Sequence, residues 1–400
     1  MNILVISQYY YPEQFRVTDI CENLVRLGHG VTVITGIPNY PEGEIFEGYE
    51  TSYKKTETHN GVTIIRCNNK PRHKGTKALA INYLSYVYCA NKVVSKLKGK
   101  FDLIYVYQLS PITMAIPAIK YKKKFNVPMY LYCLDLWPES VKDIFSNERS
   151  LLYSIMTAIS KYIYKSADLI GVTSKPFVNY LKNVCGVDEK QLVYLPQHAD
   201  DLAQDNDLST VENNCIDFVF MGNVGQAQDL DNVLEAVEKI RDVKGFKVHI
   251  VGAGSYLETL QQHTKDKKLE HLIIFHGRHP FSEMPRFYQL ADVCLLTLQG
   301  DSAVGHTIPG KLQGYMSAGK PILGAINGAS VDVINEAECG ICVPAGDSKA
   351  LAEAMYGFIK DPMAFHKMGE NGRCVYLENY TIDSHMNTLI EQLTGLSEKG

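Results

Sequence analysis

Short, uninterrupted apolar runs recur along this chain, and each is followed by a stretch with helical spacing. In the first half they are NILVIS, VTVITG, VTIIRC, DLIYVYQ, PMYLYC and DLIGVTS. In the second they are IDFVFMG, KVHIVGAG, LIIFHG, VCLLTL, PILGAI and CGICVP. A strand that is apolar at every position must be covered on both faces, the situation of a parallel strand between two helix layers. The pattern predicts an α/β chain, and its restart near residue 216 predicts two sheets. The 400 residues exceed what one core supports and suit two domains.

Between the two series lies HADDLAQDNDLSTVENNC, polar, acidic and without apolar period. It reads as a linker over 196–215. The expected layout is a Rossmann-like domain over 1–195, that linker, a second Rossmann-like domain over 216–375, and a C-terminal helix over 376–400 packing back toward the first domain. Ligands in such folds bind beyond the carboxyl ends of the strands, here in a cleft that the two domains face.

Composition removes several classes of function. The opening MNILVISQYYYPEQ reads as a strand rather than a signal peptide, and no run approaches the ~20 apolar residues of a membrane helix. A cytoplasmic location is expected. The ten cysteines are scattered in apolar settings and read as buried reduced thiols; the pair Cys339 and Cys342 reads as part of a strand. The pI near 6.3, without a basic-aromatic recognition module, argues against nucleic acid. Charge is uneven: residues 1–200 carry 24 Lys and Arg against 17 Asp and Glu, and residues 201–400 carry 16 against 27.

Three strands of the second half end in glycine turns, FMGNVGQAQ, IVGAGSY and FHGRHP. Such turns let backbone N–H groups approach a phosphate closely. TIPGKLQGYMSAGKP adds a Pro-Gly turn carrying Lys311 at the start of an apolar helix, where free N–H groups and the helix dipole favour an anion. Together they point to a nucleotide diphosphate pocket. Neither a dinucleotide fingerprint nor a P-loop is present, which argues against ATP hydrolysis.

These residues resemble the GT-B fold glycosyltransferases of family 4. The motifs YYPE, LVRLGHGVTVIT, PNYPEGEIFEGY, DLWPES, LPQHAD, GNVGQAQDLDNVLEA and PGKLQGYMSAGKPILGA fall in the family's order over nearly the whole length. Their combination is similar to a branch that contains the L-fucosamine (N-acetyl-L-fucosaminyl) transferases of capsule, O-antigen and colanic-acid synthesis. The resemblance implies a retaining transferase that needs neither cofactor nor metal. It would move a deoxy- or N-acetylamino sugar from a UDP-sugar to a polyprenyl-pyrophosphate-linked saccharide. A GT-B fold epimerase and an inactive nucleotide-binding scaffold are the alternatives.

Register against the family motif puts His306 and Gly314 where two glutamates usually stand, and Asn223 and Gln228 where an arginine and a lysine stand. With those charges missing, Lys311 is the expected replacement, with Arg278 and backbone groups of Gly225 and of Ile308, Pro309, Gly310 and Lys311. Gly222, Asn223, Gly252 and Gly254 complete the expected nucleotide-sugar set, and His306 is expected near the sugar. In the first half, Asp135 ends an apolar strand before Trp137, the chain's single tryptophan. It reads either as a proton acceptor or as the cap of a helix starting at Trp137-Pro138, with Glu139 able to share the first role. Glu13 is a candidate contact to acceptor or donor sugar. DLD at 229–231, DND at 205–207 and the group His271, His276 and His279 are assigned no metal. Residues 70–100, basic at both ends with a tyrosine-rich centre, and KYKKKFN at 120–126 suggest peripheral binding to the inner face of the cytoplasmic membrane.

Overall fold

The computed structural model describes residues 1–50, 55–73, 75–140, 151–300 and 307–398. It divides the chain into two compact units, one of Met1–Pro196 with Met386–Gly400 and one of Gln197–His385. The predicted runs become strands. In the first unit these are β1 (Asn2–Ile6), β2 (Gly30–Thr35), β4 (Val62–Arg66), β5 (Leu103–Gln108), β6 (Met129–Cys133) and β7 (Leu169–Val172), joined at the two edges by β3 (Thr56–His59) and β8 (Leu192–Tyr194), which lie outside those runs. Their spatial order is β3-β4-β2-β1-β5-β6-β7-β8, and only the β3–β4 pair is antiparallel. The second unit has β9 (Ile216–Met221), β10 (Phe246–Val251), β11 (Ile273–Gly277), β12 (Val293–Thr297), β13 (Ile322–Ala325) and β14 (Gly340–Val343). Its order, β11-β10-β9-β12-β13-β14, is parallel throughout and reverses direction between β9 and β12. The corresponding reversal in the first unit lies between β1 and β5.

Each sheet divides its side chains by the two-residue period of a strand. On one face of the first sheet, Leu4, Ile6, Ile104, Val106 and Leu131 join the core under helices Thr76–Lys96, Ile116–Phe125 and Leu151–Ser166. On the other face the apolar layer is built from tyrosines: Tyr105 stacks on Tyr130 with centroids 5.6 Å apart. The Tyr130 hydroxyl donates to Gln392 Oε1 at 2.7 Å, tying the C-terminal helix Ile382–Ser397 to this face. In the second sheet Phe218, Phe220, Val248 and Ile250 pack one way, and Val219, Met221, Val251 and Leu296 the other. The first helix, Val17–Arg26, ends at Gly28, whose φ of 87° accommodates the left-handed turn.

The stretch expected as a linker is different. Residues from Gln197 onward fall within the second unit and are bound to it. Ala199 and Leu208 are buried, Ala199 N–H donates to Tyr380 O at 2.9 Å, and Val211 N–H donates to Gln289 O at 2.9 Å. Asp201 pairs with Arg373 at 2.6 Å, and the buried Lys320 donates to Thr210 Oγ1 at 2.7 Å. Polar and backbone groups make this attachment, so no apolar period marks it in the sequence. All ten cysteines are free thiols, and Cys342 lies in β14. Among the described residues no helix is long and apolar enough to cross a membrane.

Candidate functional site

The glycine turns of the second unit converge beyond the carboxyl ends of β9, β10 and β11. Gly222 N–H donates to Val251 O at 2.9 Å, and Gly252 N–H donates to Gly277 O at 2.8 Å. A Cβ on Gly252 would stand 1.8 Å from Gly222 O, and one on Gly254 would stand 2.2 Å from Val224 O, so both positions exclude any side chain. Asn223 arches over the turns: its side-chain amide lies 2.8 Å from where a Cβ would sit on Gly225 and on Gly254.

Lys311 enters this group from the first turn of helix Gly310–Ser317. That helix is fixed across the sheet reversal by Tyr315, whose hydroxyl accepts from Met221 N–H at 3.1 Å and lies 3.2 Å from Leu295 O. The Lys311 ammonium sits 4.1 Å from the Phe220 ring centroid, donates to Gln228 Oε1, and packs beside Gly222. No carboxylate pairs with it among the described residues. Burial alone pushes its pKa down to about 7. A partly desolvated cation whose partners among the described residues are a ring and an amide gains strongly from an anion. The sequence had located Lys311; its partners Phe220 and Gln228 come from another strand and turn, and only the fold supplies them.

The missing carboxylate at Gly314 also has a physical setting. A Cβ there would stand 3.0 Å from the Tyr288 hydroxyl, so the space beside Gly314 belongs to a buried tyrosine. Arg278 follows β11 at the rim, exposed and without an ion pair among the described residues. Ile308 and Pro309 are half-buried ahead of the helix. His306 lies outside the described residues.

The histidines sort differently from their sequence grouping. His271 is exposed, whereas His276 Nε2 lies 2.9 Å from Nδ1 of the buried His249, whose Nε2 lies 2.9 Å from Asp217 Oδ1. Burial and the neighbouring His249 lower the His276 pKa. This chain crosses β9, β10 and β11 beneath the Gly277 turn, and its one advance sign was a histidine inside the apolar run KVHIV. Among the acidic triplets, Asp231 accepts from the Tyr256 hydroxyl at 2.5 Å and pairs with His263 at 2.7 Å, while Asp207 Oδ1 accepts from Ser209 N–H at 2.9 Å.

In the first unit, Asp135 follows β6. Its Oδ2 accepts from Ser110 Oγ at 2.8 Å, and Ser110 Oγ accepts from the Trp137 indole N–H at 2.8 Å. Burial raises the Asp135 pKa, making it a stronger base than an ordinary aspartate. The helix-cap reading is not realised: Trp137 N–H donates instead to the Tyr164 hydroxyl at 3.0 Å, and Pro138 has no N–H. Glu139 is turned to Tyr153 and Tyr180.

Glu13 differs from the sugar contact expected of it. Its carboxylate is buried; Oε1 accepts from Asn39 N–H and Tyr40 N–H, both at 2.8 Å, and Oε2 accepts from Tyr10 N–H at 3.2 Å. It clasps the loop after β1 to the loop after β2, a role that needs partners 26 and 27 residues away.

The architecture and the site define a two-unit, doubly wound α/β protein with a glycine-lined crevice at a sheet reversal. Residues 14–200 match the family model described as Glycosyltransferase Family 4, and residues 207–375 match Glycosyl transferases group 1. A probable glycosyltransferase of Pseudomonas aeruginosa, WbjE, is 25% identical over 285 residues, covering 68% of each chain. The putative colanic acid biosynthesis glycosyl transferase WcaI of Escherichia coli K12 is 24% identical over 341 residues, covering 80% of this chain and 82% of that one. Among solved structures, sucrose-phosphate synthase of Thermosynechococcus elongatus superposes with a TM-score of 0.77 at 16% identity over the full length of both chains. Anabaena Alr3699/HepE, solved in complex with UDP, gives 0.72 at 14% identity over 99% of this chain and 100% of that one. The chain has the GT-B fold, and its two units match glycosyltransferase models, family 4 in the first and group 1 in the second.

The Glu13 clasp yields a stability prediction. Glu13→Ala strands three backbone N–H groups and should cost about 2–4 kcal/mol. Burial raises the Glu13 carboxyl to about 7, so the folded protein holds this proton more tightly than the unfolded chain. The stability it contributes is complete below the ordinary carboxylate range and is lost as pH rises through about 7. Urea unfolding at pH 5 and pH 8 should show that loss in the wild type and not in Glu13→Gln.

Proposed function

We propose that this enzyme moves a deoxy- or N-acetylamino sugar, L-FucNAc among them, from a UDP-sugar to a polyprenyl-pyrophosphate-linked saccharide in bacterial surface polysaccharide synthesis. The observation that carries the donor half is Lys311: a half-buried ammonium with no counter-charge among the described residues, at a helix start among glycine turns. A diphosphate supplies the missing charge. The ammonium then stabilises that diphosphate as the sugar's C1–O bond breaks. Arg278 and the turns at Gly222, Gly225, Gly252 and Gly254 complete the donor set. On the acceptor side, Asp135 takes the proton of the attacking hydroxyl, whose oxygen forms the new bond to C1. Retention at C1 and independence of metal belong to the same proposal. The similarity to WcaI, a putative colanic acid biosynthesis glycosyl transferase, supports the pathway, and the UDP held by Alr3699/HepE supports the nucleotide.

Peripheral membrane binding is proposed on the helix layer of the first unit. Helix Thr76–Lys96 exposes Ile81, Leu84 and Tyr88, and helix Leu151–Ser166 exposes Leu151, Leu152, Ile155, Ile159 and Tyr162. Helix Ile116–Phe125 packs against both and carries Lys122, Lys123 and Lys124 in its last turn. Apolar stripes bordered by lysines suit an anionic leaflet. The protein should sediment with phosphatidylglycerol-rich vesicles, and Ile155→Asp with Ile159→Asp should release it. Equal sedimentation with neutral vesicles, or none with either, would contradict this.

Calorimetric titration with UDP tests the donor site. Because free Lys311 has a pKa near 7, a diphosphate beside it should draw a proton in. UDP affinity should fall as pH rises above about 7, and buffers of different ionisation enthalpy should report proton uptake. Lys311→Ala should abolish the uptake and weaken UDP roughly 10- to 100-fold. If neither UDP nor GDP binds the wild type, the transferase reading fails.

A further inference from the structure

Arg72 stands apart from Arg66, a buried arginine of the same unit. Arg66 is spent on structure: it pairs with Glu57 and donates to Gly36 O at 3.3 Å and Tyr11 O at 2.7 Å. Arg72 is half-buried and makes no ion pair with a described residue. Its guanidinium lies 5.3 Å from the Tyr40 ring centroid. Tyr40 packs at 5.3 Å on Tyr9 and at 5.0 Å on Phe15, which stack on each other at 5.2 Å.

The backbone beneath this group is tightly fixed. Arg72 N–H donates to Asn39 Oδ1 at 2.7 Å, and Asn39 N–H is held by Glu13. A Cβ on Gly43 would stand 1.5 Å from Arg72 O, so the loop after β2 presses directly against residue 72 and requires glycine there. Tyr83, in helix Thr76–Lys96, lies within electrostatic reach of both Arg72 and Asp135. Arg72, Tyr40, Tyr83 and Asp135 therefore belong to one cluster beyond the carboxyl ends of this unit's strands, where α/β folds bind ligands.

We propose that Arg72, with Tyr40 and Tyr83, is an acceptor subsite that holds an anionic group of the acceptor while Asp135 meets the hydroxyl to be glycosylated. The inference rests on the transferase reading above and adds the charge of its acceptor. The Arg72 guanidinium meets the Tyr9 hydroxyl but no carboxylate among the described residues. A planar guanidinium with further donors recognises phosphate or carboxylate by paired hydrogen bonds, and the aromatic floor offers sugar rings an apolar face. Two sources share this chemistry: the pyrophosphate that joins the saccharide to its lipid, and the carboxylate of an acidic sugar.

The test uses the full chain with saturating UDP, so that the donor site does not capture the probes. Geranyl pyrophosphate, a galacturonate trisaccharide and neutral chitotriose are titrated by calorimetry and by the fluorescence of Trp137, the single tryptophan, which reaches Asp135 through Ser110. One anionic probe should bind at least about tenfold more weakly to Arg72→Gln, with UDP affinity unchanged and an intermediate loss in Arg72→Lys. Loss of geranyl pyrophosphate identifies the lipid pyrophosphate; loss of galacturonate identifies an acidic sugar. Tyr83→Phe, which keeps the ring and the charge of Arg72, should weaken the same probe and guards against misfolding of the arginine variants. Equal binding of every probe to wild type and a folded Arg72→Gln, or no anionic binding to wild type, overturns the subsite. Failure of UDP alone would instead fault the donor reading and leave the probe comparison decisive for Arg72.

Discussion

A strand buried on both faces leaves polar chemistry only its ends, and every functional group described above follows from that constraint. Both sheets are parallel apart from the β3–β4 hairpin, so their carboxyl ends gather loops from strands distant in sequence. In the second unit the order reverses between β9 and β12, and the helices that follow these strands depart to opposite sides. Helix Gly310–Ser317 starts at that opening. The Tyr315 hydroxyl anchors it to Met221 on β9 and Leu295 on β12, the two strands that flank the reversal. Lys311 is drawn among the glycine turns because its helix is nailed to the sheet, and the proposed diphosphate would supply the counter-charge it lacks among the described residues.

The first unit solves a different problem with related means. Its loops are longer, and Glu13 collects three backbone N–H groups to hold two of them together. Asn39 and Gly43 extend that clasp to residue 72. The result is a fixed loop framework beneath Arg72 and Tyr40. The carboxylates of Glu13 and Asp135 differ in role through their partners. Glu13 faces backbone donors and is structural. Asp135 is held, among the described residues, by Ser110 alone, through its hydroxyl and backbone N–H, and keeps capacity to accept a proton.

Strands were legible because burial on both faces leaves an apolar run that needs no partner to be recognised. The glycine turns and Lys311 were legible for the same local reason: turn chemistry and a helix start are written within a few residues. What depended on distant contacts was hidden. Gln228 beneath Lys311, Tyr288 beside Gly314 and His249 beside His276 are neighbours only after folding. Glu13 looked like a sugar ligand because an acid in a loop carries no sign of the amides it will meet. The stretch after Gln197 looked like a linker because hydrogen bonds, not apolar spacing, fasten it to the second unit.

Hydrogen–deuterium exchange of the whole chain with and without UDP tests the central claim most directly. The account predicts protection confined to the turns after β9, β10 and β11 and to the start of helix Gly310–Ser317, diminished in Lys311→Ala. Protection elsewhere in the second unit, or in the loops around Asp135, would contradict the assignment of the donor site to the sheet reversal.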